Sequence, residues 1–262
     1  MTTVVVVAGV LGVLAGGAVL RPWAVTGTTS RAVAVAPTTG TSSPPPTPAA
    51  PAPPVTATPT PLVPAIDLAG QSTEDPSSTW VVVNKSRPVA PLDFEPADLV
   101  GLGDERVRTV VHDDAVAMLA AASTAGVQLT VLSGFRSYAS QREIFDSMVG
   151  HHGVAEAEQV SARPGHSEHQ TGLAVDVGDL TDPSCDFLPC FATTPAGLWV
   201  AAHAQDFGFL VRYTPENSAV TGYAAEGWHL RYVGRELAGH MRSAGLTTLE
   251  ETFGLPGGPV YP

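Results

Sequence analysis

Two short segments of this chain carry side chains that could hold a metal ion and activate a water molecule. Residues 167–176 read SEHQTGLAVD, and residues 226–229 read EGWH. Together they supply two imidazoles, one carboxylate able to bind a metal, and a second carboxylate three residues before an imidazole. This is the inventory of a catalytic zinc site, which has three protein ligands, one coordination position open to water, and a general base beside it.

The first segment predicts a loop followed by a strand. Gly172 suits a turn between His169 and a strand over residues 173–177, on which Ala174 and Asp176 share one face. The small side chain of Ala174 leaves room beside the Asp176 carboxylate. We therefore expect His169 and Asp176 to act as two of the ligands.

The second segment predicts the third ligand and the base. On a strand over residues 228–232, alternation directs His229 to the cleft and Trp228 to the core. Strict alternation would turn Glu226 away from His229, but Gly227 tolerates a bend that other residues resist. The bend lets the Glu226 carboxylate reach a metal-bound water as general base.

Both segments, in this order, resemble the VanY-like D-alanyl-D-alanine carboxypeptidases, zinc peptidases with a hedgehog/DD-peptidase-type fold that trim bacterial cell-wall stem peptides. The resemblance covers roughly residues 82–245 and includes shorter matches. These are VNK at 83–85, SGFRS at 133–137, Gln141, ARPG at 162–165, TGY at 221–223 and RYVG at 231–234. The family usually has proline between the glutamate and the tryptophan of the second segment, where this chain has Gly227.

The resemblance implies a role for each of five residues. His169, Asp176 and His229 are implied as ligands of Zn²⁺. Glu226 is implied as the catalytic base, and Arg136 as the arginine that stabilises the transition state. The implied substrate and partner is the peptidoglycan stem peptide, cut between its last two D-alanines.

A carboxypeptidase must also hold the free carboxylate at the end of its substrate. Ser167 lies two residues before a ligand and can donate its hydroxyl. Gln141 follows Arg136 by about one and a half helical turns and could face the same cleft. We predict both as substrate-binding residues, against the alternatives of local capping and surface exposure.

Composition narrows the class of partner and the compartment. The formal net charge of -12 argues against non-specific nucleic-acid binding, which needs lysine and arginine to neutralise phosphates. The two cysteines, Cys185 and Cys190, are free thiols or metal ligands in a reducing compartment and a disulfide candidate in an oxidising one. A second cysteine pair is absent, which excludes a cysteine-rich structural zinc site.

The beginning of the chain favours export. Residues 4–20 are an uncharged run of valine, leucine, alanine and glycine, so residues 1–22 are predicted as a signal peptide or membrane anchor. No lysine or arginine precedes the run. Residues 23–78 are rich in proline, threonine, alanine and serine and are predicted as a disordered stalk. We expect residues 79–262 to be an extracytoplasmic catalytic domain, tethered or secreted.

The domain itself is predicted as α+β, a single catalytic domain with a small, mainly antiparallel sheet flanked by helices. Hydrophobic spacing and glycine or proline punctuation predict its elements. The predicted helices span 110–125, 138–149, 195–207 and 233–243, and the predicted strands span 127–132, 173–177, 209–213 and 228–232.

Three other functions remain open from the sequence. One is an L,D-carboxypeptidase or endopeptidase acting on the same stem peptides with the same zinc machinery. Another is a non-catalytic wall-binding module, against which the presence of Glu226 argues. The third is a serine hydrolase using Ser133 or Ser167, disfavoured because no Gly-x-Ser-x-Gly elbow is present.

Overall fold

A computed structural model describes residues 66–262. The predicted signal or anchor over 1–22 and residues 23–65 of the predicted stalk lie outside the described residues. Residues 66–78, the rest of the predicted stalk, join the folded domain, because Ile66 and Leu68 pack against a buried cluster that includes Trp80. The domain therefore begins before residue 79. Within the described range, no helix combines the length and apolar character needed to cross a membrane.

The described residues form six strands and seven α-helices. The strands are β1 (Leu99–Leu102), β2 (Glu105–Arg108), β3 (Leu129–Ser133), β4 (Ala174–Asp179), β5 (Phe209–Tyr213) and β6 (Glu226–Tyr232). The helices are α1 (Thr109–Thr124), α2 (Tyr138–His152), α3 (Val154–Val160), α4 (Pro195–His203), α5 (Ser218–Thr221), α6 (Arg235–Ala244) and α7 (Leu249–Phe253). Short 3₁₀ turns cover Glu168–Thr171, Pro183–Cys185, Pro189–Thr193 and Ala204–Phe207.

Four strands form the sheet that carries the site. Their order is β3-β4-β6-β5, and every neighbouring pair is antiparallel. Strands β1 and β2 form a separate hairpin. The predicted α+β class with a small antiparallel sheet flanked by helices is confirmed.

The core lies between this sheet and the helices around it. Helix α1 contributes Val111, Ala115, Met118 and Ala122, spaced by three or four residues and all buried. That spacing is the one that predicted the helix. The central strand β4 is buried along its whole length, so both of its faces are covered.

The predicted helices and strands are present, with small shifts of their ends. The helix predicted to residue 207 ends as α4 at His203 and continues as the 3₁₀ turn Ala204–Phe207. The β1–β2 hairpin and the short helices α3, α5 and α7 were not predicted from the sequence. Strand β2 reads ERVR and buries only Val107, so it has too little apolar alternation to be recognised.

Gly134 packs closely against the β1–β2 hairpin. A Cβ added at this position would lie 2.4 Å from the carbonyl oxygen of Arg106 in β2. We predict that Gly134→Ala lowers the free energy of unfolding by about 1–3 kcal/mol, since the backbone must move to relieve the overlap. Gly101→Ala is the matched control, because no atom lies within 4 Å of its added Cβ. Urea unfolding measures both variants, and equal midpoints would contradict the packing described here.

Candidate metal centre and active site

The register of β4 and β6 brings two predicted ligands together. Asp176 and His229 are direct cross-strand partners, and side chains so paired project from the same face of a sheet. The Nδ1 atom of His229 lies 3.2 Å from Oδ1 of Asp176. Both side chains are almost completely buried.

The third predicted ligand comes from the 3₁₀ turn that precedes β4. Gly172 ends this turn in the left-handed conformation (φ 67°), and a Cβ there would lie 2.8 Å from Cγ of Arg108. The Nδ1 atom of His169 hydrogen-bonds the carbonyl oxygen of Gly134 at 2.7 Å. Its Nε2 atom therefore faces Oδ2 of Asp176, at 3.2 Å.

These three side chains fit a divalent metal ion. One ligand atom from each of His169, Asp176 and His229 lies within 4.8 Å of the others. The Oδ1 atom of Asp176 is buried and has no hydrogen-bond partner within the described part of the chain. Two imidazole nitrogens and a carboxylate oxygen form a donor set typical of zinc, and a buried carboxylate oxygen without a donor is costly unless a cation satisfies it.

The two imidazoles differ in how strongly they hold a proton. Burial lowers the pKa of His169, which favours the neutral ring that a metal needs. Burial also opposes charge on His229, but the adjacent carboxylates of Asp176 and Glu168 raise its pKa to about 9. A metal that binds His229 must displace this proton, so metal affinity falls as the pH falls.

Glu226 lies beside the predicted metal ligands, on the same strand as His229. On the β5 side of the sheet, Tyr213 pairs with Glu226 while Val211 pairs with Leu230, so β6 bulges between these pairs. The bulge brings Oε2 of Glu226 to 3.8 Å from Nδ1 of His229.

The environment of Glu226 suits a general base. Burial raises its pKa to about 7, with nearby His229 and Arg136 opposing the rise and Asp176 adding to it. A carboxylate with a pKa near neutrality can both accept and return a proton at physiological pH.

Arg136 directs its guanidinium group at the same centre. Its Nη2 atom donates to Oγ of Ser133 at 2.9 Å and lies 3.6 Å from Oδ2 of Asp176. Its Nη1 atom donates to Oε1 of Gln141 at 2.8 Å. These contacts fix a positive charge at the edge of the predicted metal site.

The two predicted substrate-binding residues differ in whether they have a hydrogen-bonding group free to contact a substrate. The amide nitrogen of Gln141 donates to Ser161 and to the carbonyl oxygen of Ala162, and its oxygen accepts from Arg136. Gln141 therefore holds Arg136 in place, and its predicted contact with substrate stays a prediction. The hydroxyl of Ser167 makes no hydrogen bond to any described residue, so it is available as a donor.

The serine candidates lack the geometry of a triad. The hydroxyl of Ser133 accepts from Arg136, and neither Ser133 nor Ser167 hydrogen-bonds an imidazole. Another histidine close in sequence, His166, hydrogen-bonds the carbonyl oxygen of Asn84 and is not part of the metal group.

Cys185 and Cys190 form a disulfide in the segment that follows β4, with their Cα atoms 5.5 Å apart. Ala192, two residues beyond this loop, packs against Gly227, where an added Cβ would lie 3.1 Å from the Cβ of Ala192. The closeness of Ala192 explains why a side-chain-free residue suits position 227 in this chain.

Glu168, to which the sequence motifs assign no role, is fully buried beside the centre. It accepts hydrogen bonds from Arg212 at 2.9 Å, from Arg231 at 3.2 Å and from Nε2 of His229 at 3.2 Å. Burial alone would raise its pKa, but the two arginines hold the pKa well below its usual range. Glu168 is therefore an anion in contact with a predicted ligand.

Comparison with known proteins identifies the class to which the fold and site belong. The family model described as "VanY: D-alanyl-D-alanine carboxypeptidase" matches residues 104–235. A D-alanyl-D-alanine carboxypeptidase of Enterococcus faecalis (strain ATCC 700802 / V583) is 33% identical over 196 residues, covering 70% of this chain and 69% of that protein. This chain is thus a member of a carboxypeptidase family. It belongs to the VanY family.

Two solved structures share the fold. The LdcB LD-carboxypeptidase is 37% identical, with a TM-score of 0.62, and the match covers 68% of this chain and 87% of that one. A mutant of the vancomycin-resistance D,D-pentapeptidase VanY, in complex with Zn(II), is 32% identical, with a TM-score of 0.58 and coverage of 65% and 96%. The neighbours therefore include one protein named an LD-carboxypeptidase and one named a D,D-pentapeptidase.

The raised pKa of Glu226 predicts a cost to stability in metal-free protein. The pKa of Glu226 is about 4.3 in the unfolded chain and about 7 in the folded protein. Its contribution to the free energy of unfolding is therefore fully present below about pH 4.3 and is lost as the pH rises through about 7. We therefore expect Glu226→Gln, which is neutral at every pH, to raise the free energy of unfolding at pH 8 by about 1–3 kcal/mol.

Urea unfolding in the presence of a chelator measures this difference at pH 8 and at pH 4.5. The gain should nearly vanish at the lower pH, where the folded wild-type carboxyl is already protonated. A gain that is the same at both pH values, or larger at pH 4.5, would contradict the assignment.

Proposed function

We propose that this chain is a zinc-dependent D-alanyl-D-alanine carboxypeptidase that removes the terminal D-alanine from peptidoglycan stem peptides. The observation that carries the proposal is the convergence of His169, Asp176 and His229 on one point, with Glu226 beside them. The Zn(II) complex of the VanY neighbour supports zinc as the metal. A purely structural site would close its fourth position and would need no base.

The described side chains divide the reaction among them. Zinc at this site would polarise the scissile carbonyl and acidify a water molecule. Glu226 accepts a proton from the attacking water and returns it to the leaving amine as the carbon–nitrogen bond breaks. The products are free D-alanine and a peptide shorter by one residue.

Arg136 balances the negative charge that develops on the carbonyl oxygen. Its guanidinium is held by Ser133 and Gln141, so it needs little reorganisation during the reaction. Ser167, with its free hydroxyl, is proposed to donate to the substrate carboxylate.

The proposal includes an extracytoplasmic location. The apolar run over residues 4–20 supports export, by secretion or with a membrane tether. The disulfide between Cys185 and Cys190 supports an oxidising compartment, where the wall peptide is also found.

The L,D-carboxypeptidase remains a second candidate, because the LdcB LD-carboxypeptidase shares this fold at 37% identity. Defined stem peptides separate the two functions when products are scored by mass. Release of D-alanine from a pentapeptide but not from a tetrapeptide supports the D,D-specific proposal. The opposite preference would establish the L,D-specific alternative, and cleavage within the peptide would indicate an endopeptidase.

Removal of the base should greatly slow turnover and leave zinc binding intact. We expect Glu226→Ala to retain zinc and to lower kcat by about 100- to 10,000-fold, the usual contribution of a general acid–base. Glu143→Gln, at an exposed position of α2, is the control and should keep wild-type kcat.

Zinc content by elemental analysis and D-alanine release by mass spectrometry check this prediction together. Hydrolysis at the wild-type rate by Glu226→Ala would refute the catalytic assignment. If wild type binds zinc but cleaves no stem peptide, the wall-binding module becomes the better account.

A further inference from the structure

Glu168 contacts the His229 ring at the nitrogen that faces away from Asp176. Its Oε2 atom lies 3.2 Å from Nε2 of His229, whereas Asp176 faces Nδ1. Its other oxygen, Oε1, accepts from Nε of Arg212 and from Nη1 of Arg231. All four groups of this cluster are buried.

The chemistry of these groups determines which nitrogen of the His229 ring carries the hydrogen. An ionised carboxylate can only accept, so Nε2 of His229 must carry the hydrogen. The lone pair of the neutral ring is then on Nδ1, which points toward Asp176. Arg212 and Arg231 are obligatory donors, and they hold Glu168 as an anion without competing for the proton of His229.

We propose that Glu168 is a positioning residue that presents Nδ1 of His229 to the metal by accepting the hydrogen from Nε2. The inference rests on the proposed function, because it takes the centre to be a metal site. An acceptor behind a metal-bound histidine sets its tautomer and raises its basicity, and its loss typically lowers metal affinity about 10- to 100-fold.

Glu168→Gln tests this role with little change in volume. The single amide oxygen should turn toward Arg212 and Arg231, which can only donate. The amide NH₂ group then faces Nε2 of His229 and favours the opposite tautomer, with the hydrogen on Nδ1. This arrangement blocks the nitrogen that the metal needs.

Glu250→Gln is the matched control. Glu250 is also buried and also pairs with Arg212, at 2.8 and 3.0 Å, but it makes no contact with His229. Both variants deprive Arg212 of an anionic partner, so both should lower the free energy of unfolding. Only the variant at position 168 should weaken metal binding.

Zinc affinity at fixed pH, measured by competition with a chromophoric chelator, is the first readout. We expect a loss of about 10- to 100-fold for Glu168→Gln and wild-type affinity for Glu250→Gln. The visible absorption of the Co²⁺ form is the second readout and should change only in Glu168→Gln, because its ligand geometry is altered.

A third measurement needs no variant and covers the case in which Glu168→Gln does not fold. Two-bond ¹H–¹⁵N spectra of the zinc-loaded wild type identify the ligating nitrogen of His229. We expect zinc on Nδ1 and a hydrogen on Nε2, and the reverse assignment would overturn the inference.

The possible failures are distinguishable. Equal zinc affinities for Glu168→Gln and Glu250→Gln, with normal binding by wild type, would overturn the positioning role and leave the proposed function intact. A wild type that binds no zinc would overturn both.

Discussion

Antiparallel pairing of β4 with β6, in the register that sets Asp176 opposite His229, is the constraint on which the centre depends. A shift of one residue would send one of these side chains to the opposite face of the sheet. Strand β4 lies between β3 and β6 and is buried along its length, so the surrounding core fixes the register. The packing of the core around the sheet therefore holds these two predicted ligands side by side.

The same sheet places two carboxylates where burial gives them opposite behaviour. Glu168 is buried among arginines and stays ionised behind His229, whereas Glu226 is buried with less compensation and has a pKa of about 7. Environment thus separates an anion that contacts a predicted metal ligand from a carboxyl that can exchange protons. Residues of one chemical type take different roles because the sheet gives them different neighbours.

Much of the centre was predictable from sequence, because Gly172, the alternation on β4 and Glu226 three residues before His229 are local signals. The buried partners of Glu168 were not, since Arg212 and Arg231 lie 44 and 63 residues away and meet it only through tertiary packing. No periodicity marks a glutamate that is buried because two distant arginines neutralise it. The short, charged strand β2 was missed because it has too little apolar alternation, and the packing of Ile66 and Leu68 was missed because it depends on residues distant in the sequence.

Anomalous diffraction at the zinc absorption edge, from crystals of the zinc-loaded protein, tests the central claim most directly. The account predicts one strong peak bonded to Nε2 of His169, Nδ1 of His229 and a carboxylate oxygen of Asp176, with Glu226 close but not ligating. A peak at any other set of side chains, or none at this one, would contradict it.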